Sequence, residues 1–246
     1  MPVISASQQS ALPTRGNPSV RETILLRPSE YTAALIQALR TRPELACGTS
    51  ALEIGFGSGV VLAAIGELGA ASLCGVEIEA IAVASGTRLL RQFGFGDRLE
   101  IHHGDMWQPV AGRRFELIVA NLPQFPTQSI DYDDRLPSWS VGGQDGRHAL
   151  DRFLDGLPEH LSPGGRAMIT HNGFIGLAAT RERVERHGLS LRIAATVTVS
   201  LPREKLRLMP DNIIRSENGR SIYRYGPYAF ADVHILEIGE RGRIVA

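Results

Sequence analysis

Between Ser50 and Thr170, short apolar runs alternate with stretches whose apolar residues recur at helical spacing. Ser50–Ile54, Ser72–Val76, Leu99–His102, Phe115–Ala120 and Arg166–Thr170 read as strands. Val60–Leu68 reads as a helix stopped by Gly69, and the stretch from Ala80 to Phe93 as a helix stopped by Gly94. Upstream, Tyr31, Leu35, Ile36 and Leu39 predict a helix starting after Pro28, with Ser29 as its cap and Glu30 at the positive end of its dipole. Leu150, Phe153, Leu154, Leu157 and Leu161 predict another, which Pro158 should kink or shorten. Pro163-Gly164-Gly165 reads as a turn, and Leu177–Arg186 as a helix with a polar face. Leu189–Ser200 and Phe230–Ile238 alternate as long strands, with no good helix between them.

Strand–helix alternation implies a parallel sheet covered by helices on both faces, and two final strands without a crossover helix imply an antiparallel addition at its edge. The expected fold is therefore α/β: a seven-stranded, Rossmann-like mixed sheet with an antiparallel edge strand. Residues 1–20 lack periodicity and are expected to be a mobile arm, leaving 21–246 as one domain. The insertion at 200–229, with its tyrosines, is placed to lid a pocket at the sheet edge.

Composition narrows the class only slightly. Hydrophobic content of 43% and charged content of 21% suit a globular domain with a full core. Basic and acidic residues balance at 26 each, which lowers the expectation of a nucleic-acid partner, since phosphate binders carry a basic excess. Of the 26 basic residues only Lys205 is lysine, a bias attributable to genomic base composition. Cys47 and Cys74 sit in apolar surroundings without metal-type spacing and are expected to be buried free thiols. No metal site is expected, and His102 and His103 form neither a metal pair nor a nucleophile system. The sequence shows neither a membrane span nor a secretory signal, so a cytoplasmic protein is expected.

The chemistry begins at Leu52-Glu53-Ile54-Gly55-Phe56-Gly57-Ser58-Gly59, a glycine-rich turn between a strand and a helix. Glycines let the backbone approach a ligand, and the helix start offers free amides. A nicotinamide-binding turn has similar glycines. Here, however, the third glycine comes one residue earlier than in that pattern, and Glu53 lies within the motif, where it can order the turn around a cationic amino-acid tail. Both details favour S-adenosylmethionine (SAM). Glu77, followed by Ile78, ends the next strand, where a carboxylate can accept ribose hydroxyls of either cofactor. Asp105 can accept from an adenine amino group, with Met106 packing on the ring.

Together with Asn121-Leu122-Pro123-Gln124-Phe125 at the end of the fourth strand, these residues resemble the class I SAM-dependent methyltransferases, in the amino-group branch containing the release-factor glutamine methyltransferases. The resemblance covers roughly residues 24–175. Leu26-Arg27-Pro28-Ser29-Glu30 is similar to that branch's Arg-Pro-Glu-Thr-Glu segment, Gly142-Gly143-Gln144-Asp145-Gly146 to its Gly-Gly-x-Asp-Gly segment, and Leu161-Ser162-Pro163-Gly164-Gly165 to its Leu-x-Pro-Gly-Gly turn. The family signature Asn-Pro-Pro-Tyr is altered: Asn121 and Pro123 are kept, while Leu122 and Gln124 replace Pro and Tyr.

The resemblance implies a methyltransferase using SAM, with S-adenosylhomocysteine (SAH) as product. Glu53, Gly55, Phe56, Gly57, Gly59, Glu77, Ile78, Asp105, Met106 and Asn121 are expected to face the cofactor. Asn121, Leu122 and Pro123 are expected to form the catalytic element, in which the Asn121 side-chain oxygen and the Leu122 carbonyl accept hydrogen bonds from the target nitrogen. Phe125, Tyr132 and Tyr225 are expected at the acceptor, Phe125 or the tyrosines at 223–228 replacing the missing aromatic ring. Family members acting on release factors carry a helical domain before the catalytic core. Here about twenty irregular residues precede the core, so a small molecule, free amino acid or amine, or exposed peptide group is the expected acceptor, with no membrane partner. The rival readings are methylation of an exocyclic amine of a nucleic-acid base, transfer or cyclisation of the aminocarboxypropyl group of SAM, and a non-catalytic SAM-binding module.

Overall fold

The computed structural model describes residues 27–127 and 140–242. The expected N-terminal arm and the stretch 131–134, where Tyr132 stands among Asp131, Asp133 and Asp134, lie outside the described residues. Among the described residues, eight strands form one sheet: β1 (Ser50–Ile54), β2 (Ser72–Glu77), β3 (Leu99–His103), β4 (Phe115–Ala120), β5 (Leu161–Asn172), β6 (Leu189–Ser200), β7 (Ile222–Tyr225) and β8 (Tyr228–Glu240). Seven run in the order β3-β2-β1-β4-β5-β8-β6, and short β7 pairs only with β8. The first five are parallel, while β8 runs antiparallel between β5 and the edge strand β6.

The helices are α1 (Glu30–Arg40), α2 (Val60–Glu67), α3 (Ala80–Gln92), α4 (His148–His160), α5 (Leu177–Arg186), α6 (Arg203–Leu208) and α7 (Asp211–Glu217). Alternate strand residues are buried on opposite faces of the sheet. Leu117 and Val119 pack with Leu35, Leu39, Val61, Ile65 and Leu90 from α1, α2 and α3. Ile118 and Ala120 pack with Leu150, Phe153 and Leu157 of α4 and with Val184 of α5. Burial on both faces makes β4 a continuous apolar run, the pattern of an interior parallel strand.

Four expectations are corrected. Pro158 does not shorten α4, which continues through it to His160. The missing amide falls in the last turn, where the Arg114 guanidinium donates to the carbonyls of Pro158 and Leu161. Pro163-Gly164-Gly165 is not a separate turn but a bulge within β5, whose pairing with β4 jumps from Leu161 to Arg166. The 200–229 segment contains two short helices and a strand, each too brief to show a helical or strand period. Cys47 is exposed; only Cys74 is buried.

The strand order places the site. Chain direction across the sheet reverses between β1 and β4, and Ile54 is paired with Ala120. The residues that follow, Gly55 and Asn121, therefore leave neighbouring strands side by side at their carboxyl ends, where open α/β sheets bind ligands.

Candidate active site

A cavity of about 1200 Å³ opens at that crevice. One half is built by the turn after β1. Gly55, Gly57 and Gly59 all take positive φ, at 70°, 51° and 81°. A side chain at Gly59 would also meet the Gly86 carbonyl at 3.2 Å. Glu77 ties this turn to β2: one carboxylate oxygen accepts the Gly57 amide and the other the Glu79 amide, both at 2.9 Å. Phe56 lines the cavity, and its ring is buried tightly against Gly75 and Gly86.

Glu53 is almost fully buried, and its Oε2 has no hydrogen-bond partner. Burial pushes its carboxyl well above the usual range; an amide from Leu62 in the first turn of α2 opposes this, and the Glu77 charge adds to it. A cationic group in the cavity would reverse that cost. Ile78 is a large apolar side chain left 58% exposed at the rim. Met106 lines the cavity with φ of 50°, the only positive φ among the described non-glycine residues. Asp105 also lines it, with one oxygen held by Arg152 at 2.6 Å. A buried carboxyl with one unpaired oxygen, an apolar rim and glycine amides together fit SAM: ammonium, adenine and backbone-hugging tail each find a complementary surface.

The other half follows β4. Asn121 is clamped from two sides: its Nδ2 donates to Thr32 Oγ1 at 3.4 Å, and its Oδ1 accepts from Thr170 Oγ1 at 2.7 Å. Thr32 belongs to α1, whose start is fixed by the Ser29 amide donating to the same Thr32 oxygen. The network thus sets which way the carboxamide points and leaves Oδ1 a second lone pair. Among the described residues, the Leu122 carbonyl accepts no hydrogen bond. Pro123 also lines the cavity.

Gln124, in the place of the family's tyrosine, is buried and turned away from an acceptor-stacking role. Its Nε2 donates to the Thr170 carbonyl at 2.8 Å, and its Oε1 accepts the Asn172 amide at 2.9 Å. The side chain thereby prolongs the β4–β5 ladder beyond the strand end. Gly142 and Gly146 pack against this segment so closely that an added Cβ on Gly146 would lie 2.5 Å from the Gln124 carbonyl. Phe125 is buried in the cavity wall, with Lys205 Nζ 5.8 Å from its ring centre.

Most expected site residues therefore converge on one cavity. Tyr225 does not: it is 67% exposed on β7, against Phe230. Tyr132 lies outside the described residues. From the 200–229 insertion it is Lys205 of α6 that lines the cavity. Thr32, Thr170 and Lys205 escape a motif search, because only the fold brings them to Asn121 and Phe125. Cys74, Glu100 and His102 approach one another closely enough to suggest a metal site, but the Arg113 guanidinium already hydrogen-bonds Glu100, at 2.9 Å. Cys74, pushed up to about 11 by burial, is a poor thiolate ligand.

A family profile for ribosomal protein L11 methyltransferase (PrmA) matches residues 30–124. The chain is 31% identical over 161 residues to a protein of Methanocaldococcus jannaschii that bears the name of a protein N5-glutamine methyltransferase, covering 64% of this chain and 78% of that one. It is 30% identical to a release factor glutamine methyltransferase of Geobacter sulfurreducens, covering 61% of this chain but only 54% of that enzyme. Among solved structures, the E. cuniculi Mtq2–Trm112 complex, responsible for methylation of the eRF1 termination factor, superimposes with a TM-score of 0.56 at 17% identity. The match covers 88% of this chain and 98% of that one, and establishes the shared fold. Among the described residues, no helix is long and apolar enough to cross a membrane.

Proposed function

The chain belongs to the protein N5-glutamine methyltransferase family, and on that premise we propose that it methylates the side-chain amide nitrogen of a glutamine presented by a peptide or protein. The family is SAM-dependent. The observation that carries the proposal is the adjacency of Gly55 and Asn121, which leave paired strands into one cavity.

Bound SAM supplies an electrophilic methyl group on a sulfonium. Glu53 Oε2 is the group for its ammonium, Glu77 for its ribose, and Ile78, Asp105 and Met106 for its adenine. An amide nitrogen is a weak nucleophile because its lone pair is delocalised into the carbonyl. Asn121 Oδ1 and the Leu122 carbonyl accept its two N–H bonds, aim the nitrogen at the cofactor side, and stabilise the positive charge that grows on it. Thr32 and Thr170 act through Asn121, as positioning residues. The proton leaves to solvent after transfer, so no dedicated base is required. The 200–229 segment closes the acceptor side, and a cytoplasmic setting suits the free thiols.

Methyl-labelled SAM incubated with N-acetylglutamine and with glutamine-containing peptides tests this. One methyl on the side-chain amide, with SAH as co-product, is expected. Methylthioadenosine as product, or label on a nucleic-acid base but on no glutamine, would overturn it.

A further inference from the structure

Lys205, the only lysine of the chain, lies in the wall of this cavity. Its stem enters from α6, and its ammonium sits over the Phe125 ring, 5.8 Å from the centre, within the range of a cation–π contact. It makes no ion pair with any described residue. Glu30 is near enough to favour the charged form, yet it is itself exposed, and burial outweighs it, pulling the Lys205 ammonium below its ordinary value.

A half-buried cation with no ion-pair partner among the described residues costs free energy, and in this cavity it also opposes the positive charge that develops on a nitrogen being methylated. Both penalties vanish if the acceptor brings an anion. We propose that Lys205 is a specificity-determining residue that receives a carboxylate carried by the acceptor close to its reacting glutamine. This rests on the glutamine reading above. The methionyl carboxylate of the cofactor is the other source of the same chemistry. The neighbours of Lys205 favour the acceptor, because Phe125 follows the catalytic Asn121-Leu122 pair and Glu30 opens α1.

N-acetylglutamine and N-acetylglutaminamide separate these sources, since they differ only in carboxylate against amide. Calorimetric titration of both into the SAH-loaded full chain should show N-acetylglutamine bound on the order of tenfold more tightly. K205M, or K205Q should K205M not fold, removes the preference; K205R keeps most of it; SAH affinity is the same in all. Equal affinity for the two compounds in the unsubstituted protein, or no binding of N-acetylglutamine, overturns the proposal. A loss of SAH affinity in K205M also overturns it, by assigning the lysine to the cofactor. N-acetylglutamine bound with the expected preference but never methylated leaves Lys205 as proposed and refutes the glutamine methyltransferase reading instead.

Discussion

The two halves of the cavity are held by different means. The cofactor half is mostly backbone: three glycines at positive φ, with main-chain amides stapled by Glu77. The acceptor half is a lattice of side chains: Asn121 between two threonines, Gln124 laced to β5, Lys205 over Phe125. Backbone shape tolerates variation outside the turn but not within it. A side-chain lattice can be retuned one residue at a time, so the second half is where members of one family can diverge in acceptor.

Substitutions should separate the halves. The largest effect is expected from Asn121→Ala, which should lower kcat by roughly 10²–10³-fold, the loss typical of one preorganised contact to developing charge, while SAH affinity by calorimetry stays unchanged. Gly59→Val should do the reverse. Its φ of 81° and the nearby Gly86 carbonyl make a β-branched residue strained by about 2–3 kcal/mol, which weakens SAH binding on the order of a hundredfold. Thr170→Val removes only the donor that orients Asn121, so kcat should fall about tenfold with SAH affinity intact, the worth of one hydrogen bond. If Thr170→Val also weakens SAH, the halves are not independent.

The pH response is smaller and has opposite signs in the two halves. Burial raises the Glu53 carboxyl, so the folded apo protein holds a proton the unfolded chain has lost. Stability then falls as pH rises from the ordinary carboxylate range to the raised value, and Glu53→Gln should flatten that slope. Behind the acceptor half, burial pulls His171 down to about 3, with the Arg147 charge adding to it. Its contribution is complete above about 6.5 and is lost as pH falls towards 3, at no more than about 1.4 kcal/mol per pH unit. Chemical denaturation of the unsubstituted protein, Glu53→Gln and His171→Gln across pH checks both signs.

The same division explains what could be read from the chain. The parallel core was legible because β1, β2, β4 and β5 bury both faces and the segments between them include helices long enough to show a period. The glycine turn and Glu77 were legible because their constraint is local. The acceptor half was only half legible: Asn121 and Leu122 follow a strand end, but their supports come from α1 and β5, far away in sequence. Gln124 was read as a missing tyrosine; its own role, completing a ladder with Asn172, depends on a partner strand. Tyr225 was weighed for an aromatic role because it lies in the right segment, yet it stays on the outer hairpin, and the cavity takes Lys205 instead. A lysine that looks like compositional residue in sequence becomes informative only once α6 is placed.

The most direct test is a crystal structure of the full chain with SAH. In it, Asn121 Oδ1, still held by Thr170, and the Leu122 carbonyl should both border the space in front of the SAH sulfur, with the Lys205 ammonium across that space. Either oxygen turned into the protein, or SAH lodged away from the Gly55–Gly59 turn, would contradict it.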